Sequence, residues 1–300
     1  MFNKIINQLL CTEYFINKPP LLIDIGASGE IYSKWQKIAH HCICVAFDAD
    51  TREFNATVEE NQGYKKLYKI NRIVTADDLE TKTFYLTKSP YCSSTLNPDI
   101  YHLQDWYFKS LFEVEDTVAL PAIQLNKALE AIGFDYIDWF KVDSQGTDLD
   151  IYLSLPTEIR ENILAADFEP GIIDAYLGED KLYQVQKAIE DGGMWFSSFV
   201  VKGTKRINEK YAGINSQLRN SPCWAELTVL KNGANGDIRS LLLLIIFSLI
   251  EDQWGYALEL IDKSKFDNDI LAEIRTDILR EVSKNSSKKI WDRIKSLFRG

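Results

Sequence analysis

The sequence predicts an α/β protein built on a doubly wound sheet, in which helices cover both faces of mostly parallel strands. Short apolar runs that suit buried strands alternate with segments of helical periodicity, and the first three runs recur about every 25 residues. The first run ends in a glycine-rich turn and the second ends in acidic residues, as strands of such sheets do beside a ligand. With 46% hydrophobic and 26% charged residues, the composition is that of an ordinary folded protein.

Residues 1–19 are predicted to form an N-terminal amphipathic helix. Apolar side chains from Phe2 to Leu10 recur at helical spacing, and Pro19 and Pro20 end the segment.

Residues 20–235 contain the predicted sheet. Helices are expected at 32–39, 52–61, 122–132 and 182–193, with a glycine stop at Gly133. Strands are expected at LLIDI (21–25), HCICVAFDAD (41–50), within YKKLYKINRIVTADD (64–78), at the start of 81–99, and at IDWFKVD (137–143), ILAADFE (163–169), WFSSFVV (195–201) and AELTVL (225–230).

Residues 236–300 are predicted to be a helical C-terminal extension, after a linker-like KNGANGD stretch at 231–237. Helical patterns cover 239–263, 268–284 and 287–299, and the apolar run at 241–250 is about half the length that a membrane span requires. The last helix is basic and amphipathic, because residues 284–300 carry six basic residues and one acidic residue, a net charge of +5. Its apolar face is formed by Ile290, Trp291, Ile294, Leu297 and Phe298. Such a face fits an anionic membrane surface, and equally a docking site on the acidic main domain.

The net charge and the cysteines restrict which partners and which cellular compartment are expected for the protein. The formal net charge is −10, and residues 236–300 hold 11 acidic and 11 basic residues, so the excess belongs to the first 235 residues. An acidic main domain argues against a nucleic-acid partner. The five cysteines form no C-x-x-C pair, and the N-terminus lacks the apolar core of a signal peptide, so we expect a cytoplasmic protein. The C-terminal helix could hold it peripherally at the inner face of the membrane.

Acidic residues follow several of the predicted strands. Asp24 belongs to the first, Asp48 and Asp50 follow the second, and Asp143 follows the strand at 137–143. Because ligands of open parallel sheets bind at the carboxyl ends of the strands, these carboxylates are expected to meet there. Small residues fill the first turn, where the backbone can approach a ligand closely: Gly26, Ala27, Ser28 and Gly29.

The turn favours S-adenosylmethionine (SAM) over a dinucleotide. The G-x-G-x-x-G fingerprint fails after Gly26, and no Gly-Lys-Ser/Thr phosphate loop is present. Asp24 would repel a pyrophosphate but attract the α-ammonium group of SAM. An acid at the second strand end suits the ribose hydroxyls.

Four segments resemble the FkbM family of SAM-dependent methyltransferases in order and spacing: LLIDIGASGE, CVAFDAD, LTKSPYCSSTL and IDWFKVDSQGTDLDIYLSLP. The resemblance covers about residues 20–205, and the Lys141-x-Asp143-x-x-Gly146 block is its most specific part. It implies a Rossmann-like, class I SAM-dependent methyltransferase fold and O-methyl transfer to sugars, glycans or secondary metabolites.

The resemblance also implies roles for individual residues. It places Asp24, Gly26, Ala27 and Gly29 at the amino-acid end of the cofactor and Asp48 at its ribose. Thr75, Ala76 and Asp77 would lie near the adenine. In this sequence Asp48 and Asp148 stand where the family usually has glutamate, and Glu30 stands where a small residue is common. Asp50 could therefore share the ribose contact.

Three residues are candidates for the general base: Asp143, His102 and Glu169, in that order. Asp143 could instead cap the helix that follows, and His102 could be a surface residue. Lys141, Ser93 and Ser94 are candidate substrate contacts, although Lys141 could simply neutralise Asp143 or anchor the loop, and the serines could stabilise their own turn. Asp143 with Glu169 could hold Mg²⁺, but no strong metal site is visible and none is predicted.

The sequence thus predicts a SAM-dependent O-methyltransferase that modifies a sugar, glycan or small-molecule acceptor. One alternative is an NAD-dependent oxidoreductase acting on a sugar or a nucleotide sugar. Another is a non-catalytic SAM-fold module for assembly or membrane docking. The helices at 239–284 could support the tail or form the contact of a homo-oligomer.

Overall fold

The structure, a computed structural model, describes residues 2–27, 31–49, 63–234, 236–266 and 269–297. The strands are β1 (Leu21–Ile25), β2 (Ile43–Phe47), β3 (Lys66–Ile70), β4 (Ile73–Thr75), β5 (Thr81–Thr87), β6 (Val114–Gln124), β7 (Trp139–Val142), β8 (Ala165–Phe168), β9 (Met194–Thr204) and β10 (Ser221–Lys231). The α-helices are α1 (Phe2–Leu10), α2 (Glu13–Asn17), α3 (Ile100–Leu103), α4 (Leu125–Ala131), α5 (Asp148–Ser154), α6 (Thr157–Arg160), α7 (Leu182–Asp191), α8 (Ile238–Ile250), α9 (Trp254–Asp262) and α10 (Asp269–Leu297).

The main sheet has seven strands in the order β3-β2-β1-β7-β8-β10-β9. Its strands run parallel except β10, which is antiparallel to both of its neighbours. β1, β2, β7 and β8 are buried along their whole length, which is why their sequences are nearly continuous apolar runs. The predicted α/β class with a mostly parallel sheet is confirmed.

A second sheet of three strands, in the order β4-β6-β5, was not predicted. The segment expected to supply one strand at 64–78 supplies two, β3 in the main sheet and β4 in the small one. β6 is mostly exposed and contains Glu115, Asp116 and Pro121, residues that are typical of loops and not of strand interiors.

The predicted helix at 32–39 is instead a pair of short 3₁₀ helices, Ser33–Lys37 and Ala39–His41. Trp35 is buried there and meets the rings of Tyr32 and Trp139 edge-on, with centroids 5.3 and 6.1 Å away. Three further 3₁₀ helices span Pro90–Cys92, Lys109–Phe112 and Glu209–Gln217. The helix predicted at 52–61 lies outside the described residues.

The two faces of the main sheet differ in chemistry. One face is apolar and includes Ile23, Phe140 and Phe168. The other carries a buried polar network around Asp167, which accepts hydrogen bonds from Trp139 Nε1 at 2.5 Å, Thr228 Oγ1 at 2.7 Å and the Tyr32 hydroxyl at 2.8 Å. Such alternation follows from the two-residue period of a strand. The functional side chains extend from the ends of these strands.

The chain divides into two compact units, residues 20–232 and residues 1–19 with 233–300. The N-terminal segment, predicted as a separate region, therefore belongs with the C-terminal helices. Within that unit the Arg239 guanidinium donates to the carbonyls of Lys18 and Pro19 at 3.0 and 3.3 Å.

The C-terminal unit contains the remaining predicted helices. Residues 241–249 of α8 are all buried. α10 is one continuous helix, where the sequence predicted two. The apolar face predicted for residues 290–298 falls on side chains outside the described ones. Among the described residues no helix has the length and apolar character needed to span a bilayer.

Candidate functional site

A cavity of about 450 Å³ lies at the carboxyl ends of the parallel strands, within residues 20–232. β1, β2, β7 and β8 contribute Gly26, Asp48, Asp143 and Glu169 to its wall. Because β10 is antiparallel, its start lies at the same edge and adds Trp224 and Glu226. The volume is in the range of sites that bind small molecules.

Strand register explains why residues so far apart in sequence meet here. Ile25 is in register with Phe47 of β2 and with Val142 of β7. The residue after each of these three therefore lies at the same level along the sheet. These residues are Gly26, Asp48 and Asp143. Glu169 lies at that level too, since Asp143 and Glu169 each come two residues after the paired residues Lys141 and Asp167.

The bend after β1 is shaped by the protein backbone itself. Gly26 has φ +77°, and its N–H and that of Ala27 donate to the Phe47 carbonyl at 3.0 and 3.2 Å. A Cβ on Gly26 would lie only 2.0 Å from the Asp143 carbonyl oxygen. The sequence analysis correctly singled out Gly26, but a side chain is excluded there by the Asp143 carbonyl after β7 and not by a ligand. Ala27 is buried and off the cavity wall, and Ser28 and Gly29 lie outside the described residues.

Asp24 lies beneath this bend and does not line the cavity. It is fully buried, Lys141 Nζ is 3.0 Å from its Oδ1, and the Tyr32 N–H donates to its Oδ2 at 2.8 Å. The two residues are cross-strand neighbours in register, which accounts for the ion pair. The predicted direct contact between Asp24 and a ligand ammonium group therefore needs revision, because Lys141 already balances this carboxylate.

Lys141 anchors the loop, as one of the sequence alternatives proposed, and does not line the cavity as a substrate contact would. Its ammonium group donates to the carbonyls of Gly26 and Ile25 at 3.0 and 3.3 Å. Burial alone would lower the pKa of Lys141, but the charges of Asp24 and Asp143 together raise it above its ordinary value. Lys141 therefore carries its charge at every working pH.

The residues predicted to lie near the adenine, 75–77, do not line the cavity. They form a turn, in which Thr75 Oγ1 donates to the Asp77 carbonyl at 2.8 Å. The wall is formed instead by Ile73 and Val74, beside Phe47 and Ala49. β4, which holds Ile73 and Val74, pairs with β6 in the small sheet and not with the main sheet. Asp48 lines the cavity as predicted, and Asp50 lies outside the described residues.

Asp143 lines the cavity and is held by a neighbour. The Gln145 amide donates to its Oδ1 at 2.5 Å, and Gln145 Oε1 lies 3.0 Å from the Tyr176 hydroxyl. Burial raises the pKa of Asp143, while the charge of Lys141 and the Gln145 hydrogen bond oppose that rise.

Glu169 is a second carboxyl group on the cavity wall whose pKa is raised. Burial, and then the charge of Asp143, raise the pKa of Glu169 to about 9. Asp148 is buried behind it and accepts hydrogen bonds from the Ser144 N–H at 2.8 Å and the Glu169 N–H at 2.9 Å. Burial and the charge of Asp143 raise the pKa of Asp148 to about 6. Asp148 holds the two strand ends together.

Ser93 and Ser94 mainly stabilise their own turn, as the alternative interpretation held. Ser93 lines the cavity, but its Oγ accepts the Thr87 N–H at 3.1 Å. Ser94 is off the wall; its Oγ accepts the Leu96 N–H at 3.0 Å within its turn and donates to the Gln145 carbonyl at 2.7 Å. His102 is also off the wall: its side chain is exposed, and Nδ1 lies 2.7 Å from Asp99 Oδ2. The structure therefore does not bring His102 to Asp143 and Glu169.

An aromatic wall closes the other side of the cavity, and the sequence analysis missed it. Phe108 stacks on Trp224 with centroids 6.4 Å apart, and Phe112 meets Phe108 and Tyr176 edge-on at 5.1 and 5.5 Å. The four-residue spacing of Phe108 and Phe112 was a visible signal, but the contacts with Tyr176 and Trp224 are long-range. Together these rings offer flat apolar surfaces to a bound molecule.

Among the described residues, no cluster of three or more His, Cys, Asp or Glu side chains is arranged to hold a metal ion. Comparison with models of known protein families gave no match, and neither did comparison with curated proteins.

Glu169 is expected to make the ligand-free protein less stable as the pH rises. Its pKa is about 9 when folded against an ordinary value of 4.5, so only the folded state keeps the proton between these values. The stability that this proton contributes is complete below about pH 4.5 and is lost as the pH rises towards 9. Glu169→Gln should therefore stabilise the protein at pH 8 by at least about 1 kcal/mol, or roughly 2–4 °C.

Urea denaturation at pH 5 and pH 8 measures this effect. The gain at pH 5 should be much smaller than the gain at pH 8. The exposed residue Glu130 provides the control, since Glu130→Gln should give no gain at either pH. Equal gains for Glu169→Gln at both values would contradict the assignment.

Proposed function

We propose that this protein is a SAM-dependent methyltransferase that transfers a methyl group to a hydroxyl of a sugar, glycan or small metabolite. The proposal rests on one observation: the cavity has two chemically different sides. The Gly26 bend and Asp48 form the side suited to the cofactor, and Asp143 and Glu169 adjoin the aromatic wall suited to an acceptor.

The donor set of the cavity fits a cationic cofactor. The wall includes the carboxyl groups of Asp48, Asp143, Glu169 and Glu226, whereas Arg72 is the one lysine or arginine among its described lining residues. Burial above all raises the pKa values of Asp143 and Glu169, so an ionised carboxylate at either position lacks full compensation. The sulfonium and ammonium groups of SAM would supply it, and Asp48 would accept hydrogen bonds from ribose hydroxyls.

An NAD-dependent oxidoreductase is the weaker alternative. A pyrophosphate would meet only one lysine or arginine, Arg72, among the described residues of the cavity wall. Numbered along the chain, the seven strands of the main sheet run 3-2-1-4-5-7-6, with an antiparallel strand inserted near one edge. Dinucleotide-binding sheets have the order 3-2-1-4-5-6.

The residues of the cavity would hold the acceptor and move its proton. When bound, SAM supplies an electrophilic methyl group on a positively charged sulfur. Asp143 is the first candidate to take the proton of the acceptor hydroxyl, because Lys141 and Gln145 favour its ionised form. Glu169 is the second, once a nearby cation lowers its pKa. The rings of Phe108, Phe112 and Trp224 would exclude water and orient the acceptor for in-line attack.

Thermal-shift titration tests the proposal directly. SAM and S-adenosylhomocysteine at 100 times their dissociation constants should stabilise the protein by about 2.7 kcal/mol, or roughly 5–11 °C. NAD and NADP should give no shift. Asp48→Asn should weaken SAM binding about tenfold, by loss of a charged hydrogen-bond acceptor. Asp78→Asn is the matched control, because Asp78 is exposed and pairs with Lys127 at 2.5 Å. Stabilisation by a dinucleotide and not by SAM would overturn the proposal.

A further inference from the structure

Gln145 occupies a strained backbone position on the cavity wall. Its φ is +58°, and among the described residues Asp252, at +56°, is the only other non-glycine with a positive φ. Aspartate enters this region comparatively easily, whereas glutamine has no such preference. Strain of this kind persists only where the surroundings enforce it, and it often marks a functional site.

The surroundings of Gln145 leave its backbone no alternative. Its carbonyl accepts the Ser94 hydroxyl at 2.7 Å. The next residue, Gly146, has φ +107°, and its carbonyl accepts the Asp180 N–H at 2.8 Å. A Cβ on Gly146 would lie 2.9 Å from Glu179 Cβ. The turn is thus fixed from both sides.

The strained conformation directs the Gln145 side chain between two other residues of the cavity. Its Nε2 donates to Asp143 Oδ1 at 2.5 Å, and its Oε1 lies 3.0 Å from the Tyr176 hydroxyl. That hydroxyl also lies 2.9 Å from the Cys92 carbonyl and has one proton to donate. An ionised Asp143 only accepts, so the amide presents its NH₂ group to Asp143 and its oxygen to the Tyr176 hydroxyl, whose one proton is shared between that oxygen and the Cys92 carbonyl.

We propose that Gln145 is a positioning residue, whose amide, held by Tyr176, fixes the orientation of the Asp143 carboxyl group in the cavity. The inference deepens the proposed function because it concerns the same site. Its consequence is that Asp143 stays ionised more readily than its burial would allow, since a hydrogen bond to the charged form favours that form.

Several other groups also affect the pKa of Asp143 and have to be considered when its titration is interpreted. Those that interact with it electrostatically are Lys141, Asp24, Glu226, Glu169, Asp148, Cys92 and Tyr176. A variant at position 145 leaves all seven in place, so a change in titration would report the amide.

The first test needs no cofactor. The carboxyl carbon of Asp143 is followed by ¹³C NMR against pH in the ligand-free protein, and the signal is assigned by its loss in Asp143→Asn. Gln145→Met keeps the length of the side chain but removes the amide, and it should move the titration midpoint upward. Tyr176→Phe removes only a hydroxyl and should move it upward by less. Should Gln145→Met fail to fold, Gln145→Gly, which also removes the amide but has no backbone strain at this position, takes its place. An unmoved midpoint in a folded variant would show that Gln145 is merely structural.

The backbone strain gives a second, independent readout. Gln145→Ala and Gln145→Gly both lose the amide, so both should shift the Asp143 titration equally. Gln145→Gly should nevertheless melt at a higher temperature than Gln145→Ala, because glycine adopts positive φ without strain. Asp252→Ala and Asp252→Gly are the matched control. They should differ in melting temperature in the same way, but they should leave the titration of Asp143 unchanged. Equal melting temperatures for the two Gln145 variants would refute enforced strain.

SAM binding separates this inference from the proposed function. If both are right, Gln145→Met should weaken SAM binding about tenfold at pH 6.5, the usual scale of a hydrogen bond to a charged group. The loss should be smaller at pH 9, where Asp143 is more fully ionised. If wild type does not bind SAM, the proposed function fails while the NMR result still decides the role of Gln145.

Discussion

Gly26→Ala is expected to destabilise the protein by roughly 2–4 kcal/mol and to weaken binding of the proposed cofactor, SAM, at least about 100-fold. The new Cβ would sit 2.0 Å from the Asp143 carbonyl oxygen, a distance that forces the backbone to move. That oxygen cannot retreat easily, since the Asp143 N–H is bonded to the Ile25 carbonyl at 3.0 Å. Alanine would also be strained at φ +77°. Chemical denaturation and isothermal titration calorimetry with SAM measure the two effects.

Gly133→Ala is the matched control for this prediction. Gly133 has φ +83°, but a Cβ there would meet nothing within 4 Å. Its substitution should show only the conformational cost, about 1 kcal/mol, with unchanged SAM affinity. If the two alanine variants prove equally stable and bind equally well, the close approach of β1 and β7 is not what requires glycine at position 26.

Lys141→Met should cost roughly 3–5 kcal/mol, because it leaves Asp24 as a buried charge without its partner. The side chain of Asp24 is only 1% exposed, so water cannot replace the ammonium group 3.0 Å away. The carbonyls of Ile25 and Gly26 would lose a donor as well. We expect a large fall in the denaturation midpoint, with loss of the ordered bend.

Two comparisons make this second prediction specific. Adding Asp24→Asn to Lys141→Met should recover much of the stability, since the amide oxygen can still accept the Tyr32 N–H without carrying charge. Lys187→Ala breaks an exposed pair with Asp191, 2.7 Å apart, and should leave the denaturation midpoint almost unchanged. Failure of the double variant to recover would indicate that Lys141 matters chiefly through the loop carbonyls.

Sequence reasoning located the acidic strand ends because the order of elements alone determines where they meet. Asp48, Asp143 and Glu169 follow buried parallel strands, and such strands present their carboxyl ends at one edge. The same reasoning misplaced Asp24, because it identified the acid but not the cross-strand lysine 117 positions later that neutralises it.

The rest of the site depends on contacts that no local pattern encodes. β4 pairs with β6, a strand whose charged residues and proline resemble a loop, and the cavity wall contains residues 73–74 where residues 75–77 were predicted. The aromatic wall joins residues near 110 with Tyr176 and Trp224, and periodicity within one segment cannot reveal such a pairing. A local pattern likewise cannot tell whether glycine is needed at position 26 for a ligand or for the fold. The deciding contact is with the Asp143 carbonyl oxygen, which excludes a side chain there.

The insertion of β10 between β8 and β9 has a consequence for biosynthesis. A nascent polypeptide can assemble the first five strands of the large sheet as it emerges from the ribosome, but the sixth has no neighbour to join until the seventh has been made. Trp224 and Glu226 arrive with that last strand. Until then the cavity lacks that part of its wall, so the site is complete only once synthesis has passed that point.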